Sequence, residues 1–264
     1  MKKTADAWDE SDPYEYFMGR WSKRIAPLFL SWLNLPSNLS WLDIGCGTGT
    51  LSEAIFSICK PAHLSCIDPS SEFLAEAKKR LPVMADVVTG SASDIPKPNN
   101  SFDTLVSGLA LNFFPDLSGA LSEMKRVVKS NGIIAAYVWD YAGRMDFLRI
   151  FWDAASQVDH ESYKFDEGIR FPLCNAHNLW NEFEKAGFIN IETTNMDAYT
   201  VFKNFEDYWN PFLGGQGPAG AYLVSLNREL QDKLKSNLFK RLPGDSNGSI
   251  KLLARAIAVR GIRK

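Results

Sequence analysis

The sequence predicts an α/β fold, a mostly parallel sheet of seven strands flanked by helices. Three observations predict it. Short apolar runs alternate with stretches of helical period between residues 41 and 138; strands separated by helices of about 10–15 residues need crossover connections and so lie parallel. A glycine-rich turn joins the first apolar run to the first helical stretch. An aspartate, Asp68, ends the second apolar run, at the strand edge where open α/β sheets bind ligands.

The elements follow in order. Leu28, Phe29, Trp32 and Leu33 fall at helical spacing, so residues 1–40 are expected to form an N-terminal helical arm. Trp41–Ile44 is the first strand. Thr50–Cys59 is a helix with Leu51, Ala54, Ile55 and Ile58 on one face. Leu64–Ile67 is the second strand. Ser70–Leu81 is a helix with Phe73, Leu74, Ala77 and Leu81 inward and Lys78, Lys79 and Arg80 in its last turn, where cations suit the helix dipole. Asp86–Thr89 and Phe102–Ser107 are the third and fourth strands. Asp116 is the expected N-cap of a helix burying Leu117, Leu121, Met124 and Val128 and stopped by Asn131-Gly132, before a fifth strand over Ile133–Val138. Beyond Asp140 the alternation changes. Met145–Val158 and Ala176–Ala186 read as helices, Ile189–Val201 as a strand, Ser225–Leu238 as a helix and Ile250–Val259 as the final strand. Between them lies an aromatic, glycine-rich insert over Tyr199–Tyr222.

At 264 residues the chain is long enough for one decorated α/β domain with a core that needs no staples. A formal net charge of −2 argues against nucleic acid as the main partner. No apolar window is long enough for a membrane span, and the two lysines at the start precede no apolar stretch of a signal peptide. Cys46, Cys59, Cys66 and Cys174 show neither paired spacing nor a framework, which predicts reduced thiols, no metal site and a cytoplasmic protein. No feature specifies an oligomeric patch.

Chemistry concentrates in the turn. Leu42–Gly49 reads Leu-Asp-Ile-Gly-Cys-Gly-Thr-Gly, an acid followed by three alternate glycines, D-x-G-x-G-x-G. This differs from the dinucleotide fingerprint G-x-G-x-x-G, because Thr50 stands where the third glycine of that pattern belongs. Residues without a Cβ let the backbone pass close under a ligand. Asp68 is suited to accept both hydroxyls of a ribose, or else to cap the helix that follows, a role open equally to Ser70.

With Asp43, Gly45, Cys46, Gly47, Gly49, Asp68 and Pro69 in this arrangement, the sequence resembles the class I S-adenosylmethionine (SAM)-dependent methyltransferases. The resemblance covers roughly Leu42 to Val138, and the later segments Gly90–Pro96, Asn100–Asp103 and Glu123–Lys129 are similar to the small-molecule, quinone-biosynthesis-like branch. It implies a Rossmann-like three-layer sandwich whose last strand is antiparallel, SAM as cofactor, and a catalytic domain over 41–264 with substrate-lid insertions about 141–186 and 200–245. It also implies that Ser91 and Ala92 flank the adenine and that Ser107 and Leu109 line the floor after strand four. Two departures stand out: Ser91 replaces the usual Asp, and Ser130-Asn131-Gly132 replaces the usual Pro-Gly-Gly. Tyr16–Ser22 and Tyr208–Pro218 resemble an uncharacterised bacterial subgroup in which an N-terminal arm closes over SAM. Arg20, with Tyr14 nearby, is the expected grip on the methionine carboxylate.

Methyl transfer needs positioning more than proton transfer, so no catalytic pair is required. Asp140, directly after strand five, and His177 are the available acid–base candidates, against structural and surface roles respectively. Tyr199, Phe202, Phe205, Tyr208, Trp209, Phe212 and Tyr222 either form a lid over a small hydrophobic or aromatic acceptor or pack an appended subdomain. Strand four is followed by Ser107-Gly108-Leu109-Ala110 and not by the Asn/Asp-Pro-Pro-aromatic motif of macromolecular amide methylation. The expected function is transfer of methyl from SAM to a small molecule. The alternatives are a non-catalytic SAM-binding regulator on the same fold and, against the glycine spacing, an NAD-linked oxidoreductase.

Overall fold

A computed structural model of the chain describes residues 20–264. The sheet has seven strands: β1 (Ser40–Ile44), β2 (His63–Asp68), β3 (Asp86–Thr89), β4 (Phe102–Gly108), β5 (Val128–Trp139), β6 (Phe188–Phe202) and β7 (Ile250–Arg263). Their order is β3-β2-β1-β4-β5-β7-β6. The pairs among β1 to β5 are parallel, while β7 runs antiparallel to β5, Trp139 facing Ala256. In β1 the last four residues are all buried, and in β2 all but His63. Strands covered on both faces cannot alternate polar with apolar, so they read as continuous apolar runs.

The helices are α1 (Arg20–Leu33), α2 (Thr50–Ala54), α3 (Ser71–Arg80), α4 (Leu117–Val127), α5 (Asp146–Val158), α6 (Glu167–Arg170), α7 (Ala176–Lys185), α8 (Phe205–Leu213), α9 (Gly217–Ser225) and α10 (Arg228–Arg241). The caps read at Ser70 and Asp116 are in place, Ser70 Oγ accepting from Phe73 N and Asp116 from Gly119 N, and Asn175 caps α7 by accepting from Asn178 N.

Some local expectations need correction. In α1 the buried stripe is Trp21, Ile25, Phe29 and Leu33, a four-residue repeat that leaves Leu28 exposed on its flank. After α2 the chain widens into a π turn over Ile55–Cys59, and the altered pitch turns Ile58 to solvent. The helix before β5 ends at Val127, short of Asn131-Gly132, because Val128 already joins the sheet opposite Phe102. The aromatic, glycine-rich insert runs from the end of β6 through α8 into α9, and the helix expected from Ser225 starts at Arg228, capped by Asn227.

The chain divides into two compact units. The sheet unit holds Ser22–Trp139, Leu173–Met196 and Ala256–Lys264; the second holds Asp140–Pro172 and Asp197–Arg255 with Trp21. In the sheet unit Phe29 packs on Tyr137 of β5 with ring centroids 4.7 Å apart. The core of the second unit is aromatic. Phe212 stacks on both Phe147 and Phe151 at 4.5 Å, Trp152 meets Tyr222 at 5.4 Å, and Tyr208 donates its hydroxyl to Phe147 O at 2.9 Å. Phe202, Phe205, Tyr208, Trp209, Phe212 and Tyr222 are therefore buried packing residues. Tyr199 alone of the expected lid rings is exposed, with Lys251 Nζ 4.5 Å from its centroid.

Candidate functional site

The strand order reverses between β1 and β4, and the turn after β1 lies at the carboxyl edge of that switch point. Gly45, Gly47 and Gly49 have φ of +69°, +53° and +86°, a left-handed conformation that glycine adopts without strain. Gly45 N and Cys46 N both donate to Ile67 O, at 2.8 and 3.1 Å, which fastens the turn to the end of β2. The three glycines then do different things. A Cβ on Gly45 would lie 2.6 Å from Ala110 Cβ, so this glycine admits the loop after β4. A Cβ on Gly49 would lie 3.2 Å from Ala77 Cβ, so this one admits α3. A Cβ on Gly47 would meet nothing within 4 Å. Only there does the missing side chain leave open space.

Asp68 stands beside that space. Its Oδ2 accepts from Gly47 N at 2.9 Å and its Oδ1 from Ser70 N at 2.8 Å. Ser70 caps α3 through its own hydroxyl, so Asp68 is not the helix cap. Burial raises the Asp68 pKa, and the two amides oppose the rise. Beneath the turn, Asp43 is wholly buried. Its Oδ2 accepts from Ser52 Oγ at 2.6 Å, while Oδ1 has no partner among the described residues. Burial lifts its pKa from 3.8 to about 7, against the Ser52 hydrogen bond and with help from the Asp68 charge. Cys66 Sγ donates to Ser52 Oγ at 3.1 Å, extending this buried network. The hydrogen bond of Cys46 to Cys66, followed by burial, holds the Cys46 thiol well above its ordinary pKa. Pro69 is exposed beyond the strand end.

The ends of β3 and β4 supply the other expected residues. Ser91 is exposed, and its Oγ accepts from Ser93 N at 3.2 Å in a tight turn closed by Asp94 N on Ser91 O; Ala92 lies within that turn. Ser107 is fully buried, with Oγ unpartnered among the described residues. Leu109 is left-handed at φ +60°, held there by its N–H on Tyr137 O at 2.8 Å. Three residues later, in the single turn Leu111–Phe113, Asn112 has both carboxamide atoms buried and neither partnered among the described residues. Sequence reasoning passed over Asn112. Its local signal is a polar residue between Leu111 and Phe113 just beyond a strand end, and such a residue reads equally well as turn chemistry.

The acid–base candidates fare differently. Asp140 Oδ1 accepts from Gly143 N at 3.0 Å and Oδ2 from Arg144 N at 3.1 Å, so its carboxylate closes the turn after β5. His177 is exposed on α7 and bonds to Asn181 of the same helix at 3.0 Å. Tyr14 and the side chain of Arg20 lie outside the described residues.

Residues 42–136 match the family model of a methyltransferase domain. Among curated proteins the chain is similar to the demethylmenaquinone methyltransferase of Staphylococcus aureus, 28% identical over 184 residues that span 65% of this chain and 75% of the relative. Residues 42–136 are thus a methyltransferase domain, and the chain is a SAM-dependent methyltransferase. As a SAM-dependent methyltransferase it uses S-adenosylmethionine as its cofactor. Solved structures agree on the fold. A phosphoethanolamine N-methyltransferase of Haemonchus contortus in complex with SAM superposes with a TM-score of 0.60 at 17% identity, covering 99% of this chain and 59% of that one. The YcgJ protein of Bacillus subtilis gives 0.56 at 18%, covering 93% and 99%. The [4+2]-cyclase SpnF shares the fold at 0.55 and 17%, covering 90% and 80%, so the fold by itself does not select the reaction. Among the described residues no His, Cys, Asp and Glu cluster could hold a metal, and no helix is long and apolar enough to cross a membrane.

Proposed function

We propose that the turn Gly45–Gly49 and Asp68 hold SAM and that the enzyme methylates a small, ring-bearing acceptor. The observation that carries this reading is the open space over Gly47 next to Asp68. Each Asp68 oxygen accepts one amide and retains a second lone pair, so both can still receive ribose hydroxyls. Ser91 and Ala92 flank the adenine, with the Ser91 hydroxyl in place of a carboxylate. Ser107 and Leu109 form the floor, and Arg20 and Tyr14 are assigned to the methionine end.

SAM supplies a methyl group on a sulfonium, open to in-line displacement. The chain's part is to hold the acceptor atom about 3–3.5 Å from that carbon in a dry site. Asn112 is suited to orient the acceptor, because its carboxamide offers both a donor and an acceptor and neither is used within the described residues. Asp140 and His177 are engaged elsewhere and are not assigned as bases. The acceptor loses its proton unaided.

The name of the Staphylococcus aureus relative supports a ring-bearing acceptor, as does the Phe114 ring 3.4 Å from the Cβ position of Gly45. A net charge of −2 supports a small molecule over a polyanion, and unpaired cysteines support a cytoplasmic setting. The test is calorimetric titration with SAM, S-adenosylhomocysteine and NAD, then release of S-adenosylhomocysteine across hydroquinones, phenols and aromatic amines. Micromolar binding of both adenosyl ligands with turnover on one of these panels is expected. Tight binding with no turnover on any panel would instead assign a regulator.

A further inference from the structure

Within the sheet unit, Arg126 of α4 uses every donor it has on one carboxylate and one loop. Its Nε and Nη2 reach the two oxygens of Glu123, three residues earlier on the helix, at 2.6 and 2.7 Å, a bidentate pair. The remaining donors reach the connection from β3 to β4. Nη1 donates to Lys97 O and Asn99 Oδ1, and Nη2 to Ile95 O, each at 2.8 Å. One bond from Nε and two from each Nη engage all five N–H groups of the guanidinium. Glu123 Oε2 completes the clamp by accepting from Ile95 N at 2.9 Å.

Ile95 directly follows the turn that carries Ser91 and Ala92. On the other side of that turn Gly90 N donates to Asp68 O at 3.2 Å, and a Cβ on Gly90 would lie 3.0 Å from Pro96. The chain is therefore anchored just before and just after the turn. Between the anchors, residues 91–94 hydrogen-bond only with one another among the described residues: Ser93 N on Ser91 Oγ, Asp94 N on Ser91 O and the two serine hydroxyls together. Ordering such a turn is costly in entropy, and its place is set by whatever fixes its ends.

We propose that Glu123 and Arg126 are positioning residues for the cofactor, holding the Ser91 hydroxyl where it accepts a hydrogen bond from the adenine amine. This rests on the reading above in which Ser91 and Ala92 flank the adenine. When Ser91 Oγ donates to Ser93 Oγ, 3.0 Å away, and accepts from Ser93 N, one lone pair remains for that amine. The clamp needs the planar fork of arginine. A lysine ammonium carries the same charge but cannot grip Glu123 bidentately and reach the loop carbonyls together.

The experiment uses the full chain, Arg126→Lys, Ser91→Ala and the double variant, with Glu123→Gln as a second route to the same clamp should Arg126→Lys fold poorly. Adenosine and purine riboside, which lacks the amine, compete against S-adenosylhomocysteine in calorimetric titration. The wild type is expected to prefer adenosine by about five-fold, the scale of one hydrogen bond. Arg126→Lys should reduce that preference to less than about two-fold while purine riboside binds nearly as in the wild type. Ser91→Ala should lose the preference as well. The double variant should lose no more than either single one, since residues acting through one contact are not additive. Equal weakening of both nucleosides in Arg126→Lys and Glu123→Gln, or failure of both variants to fold, would make the pair a support of the fold and overturn the proposal. A preference kept in both variants, additive losses in the double variant, or a wild type that binds the two nucleosides equally would overturn it too. Failure of the wild type to bind S-adenosylhomocysteine would instead remove the SAM reading on which this rests.

Discussion

The Gly47 N–H donates to Asp68 Oδ2 at 2.9 Å, across 21 residues of sequence, and ties the glycine turn to the end of the neighbouring strand. One contact thereby shapes the turn and holds the carboxylate at the edge of the open space above it. Asp68→Asn removes the charge and one of the two accepting oxygens. Hydrogen bonds to charged groups contribute about 1.5–3 kcal/mol, so SAM affinity should fall at least ~10-fold by calorimetry. Unchanged affinity would take Asp68 out of the site.

Gly45→Ala and Gly47→Ala separate folding from binding. Both impose a left-handed conformation on a residue with a Cβ, at a cost of about 1–2 kcal/mol. Gly45→Ala adds overlap with Ala110, worth a further ~1–3 kcal/mol, so denaturant titration should show it to be the less stable variant. Gly47→Ala meets no protein atom, and its methyl enters the space proposed for SAM. It should lose SAM affinity out of proportion to its stability.

Asp43 makes stability depend on pH. Its folded pKa of about 7 lies above its ordinary 3.8, so between these values the folded state holds a proton that the unfolded state releases. The Asp43 contribution to stability is therefore fully present below about pH 4 and is lost as pH rises toward 7, by up to about 1.4 kcal/mol per unit. Glu167, buried in the second unit and bonded to Trp152 Nε1, is likewise raised to about 7 and adds a loss of the same sign. Asp43→Asn should make the decline from pH 5 to 7 measurably shallower in urea melts. An unchanged slope would mean that Asp43 does not titrate in this range.

Asn112→Leu tests the residue that sequence reasoning missed. Replacing an unpartnered buried amide with an apolar side chain is expected to change stability by less than about 1 kcal/mol. SAM affinity should hold while turnover on the best acceptor falls by ~10-fold or more. Large destabilisation would show instead that the amide is satisfied in solution and structural.

Asp140→Ala should lower stability by about 1 kcal/mol, as loss of a comparable side-chain cap does, because the amides of Gly143 and Arg144 lose their acceptor. His177→Ala should leave turnover within two-fold. A collapse of turnover in folded His177→Ala would return that side chain to the mechanism.

Much of the fold was legible because its signals are local. The strands β1 to β4 and the Ile133–Val138 part of β5 are short, mostly apolar runs, and Ser70, Asp116 and Asn175 cap their helices through hydrogen bonds that span three residues. The D-x-G-x-G-x-G turn was legible for the same reason: φ above zero is a property of the residue itself. Less legible were the boundary at Val128, decided by pairing with Phe102, and the orientation of Ile58, decided by a π turn.

The sequence by itself determined the order of strands and helices, the left-handed turn after the first strand and the acid that ends the second, since backbone preference and apolar period act over a few residues. Only the tertiary structure decided which glycine leaves room for a ligand and which rings are spent on one another. Gly45, Gly47 and Gly49 look alike in sequence, yet Ala110 and Ala77 fill the space beside two of them. Phe147, Phe151 and Phe212 stack into a core although they are distant along the chain. The orphaned amide of Asn112 belongs to the same class. Whether a buried polar group is satisfied depends on every neighbour that the fold brings to it, and no local pattern carries that information.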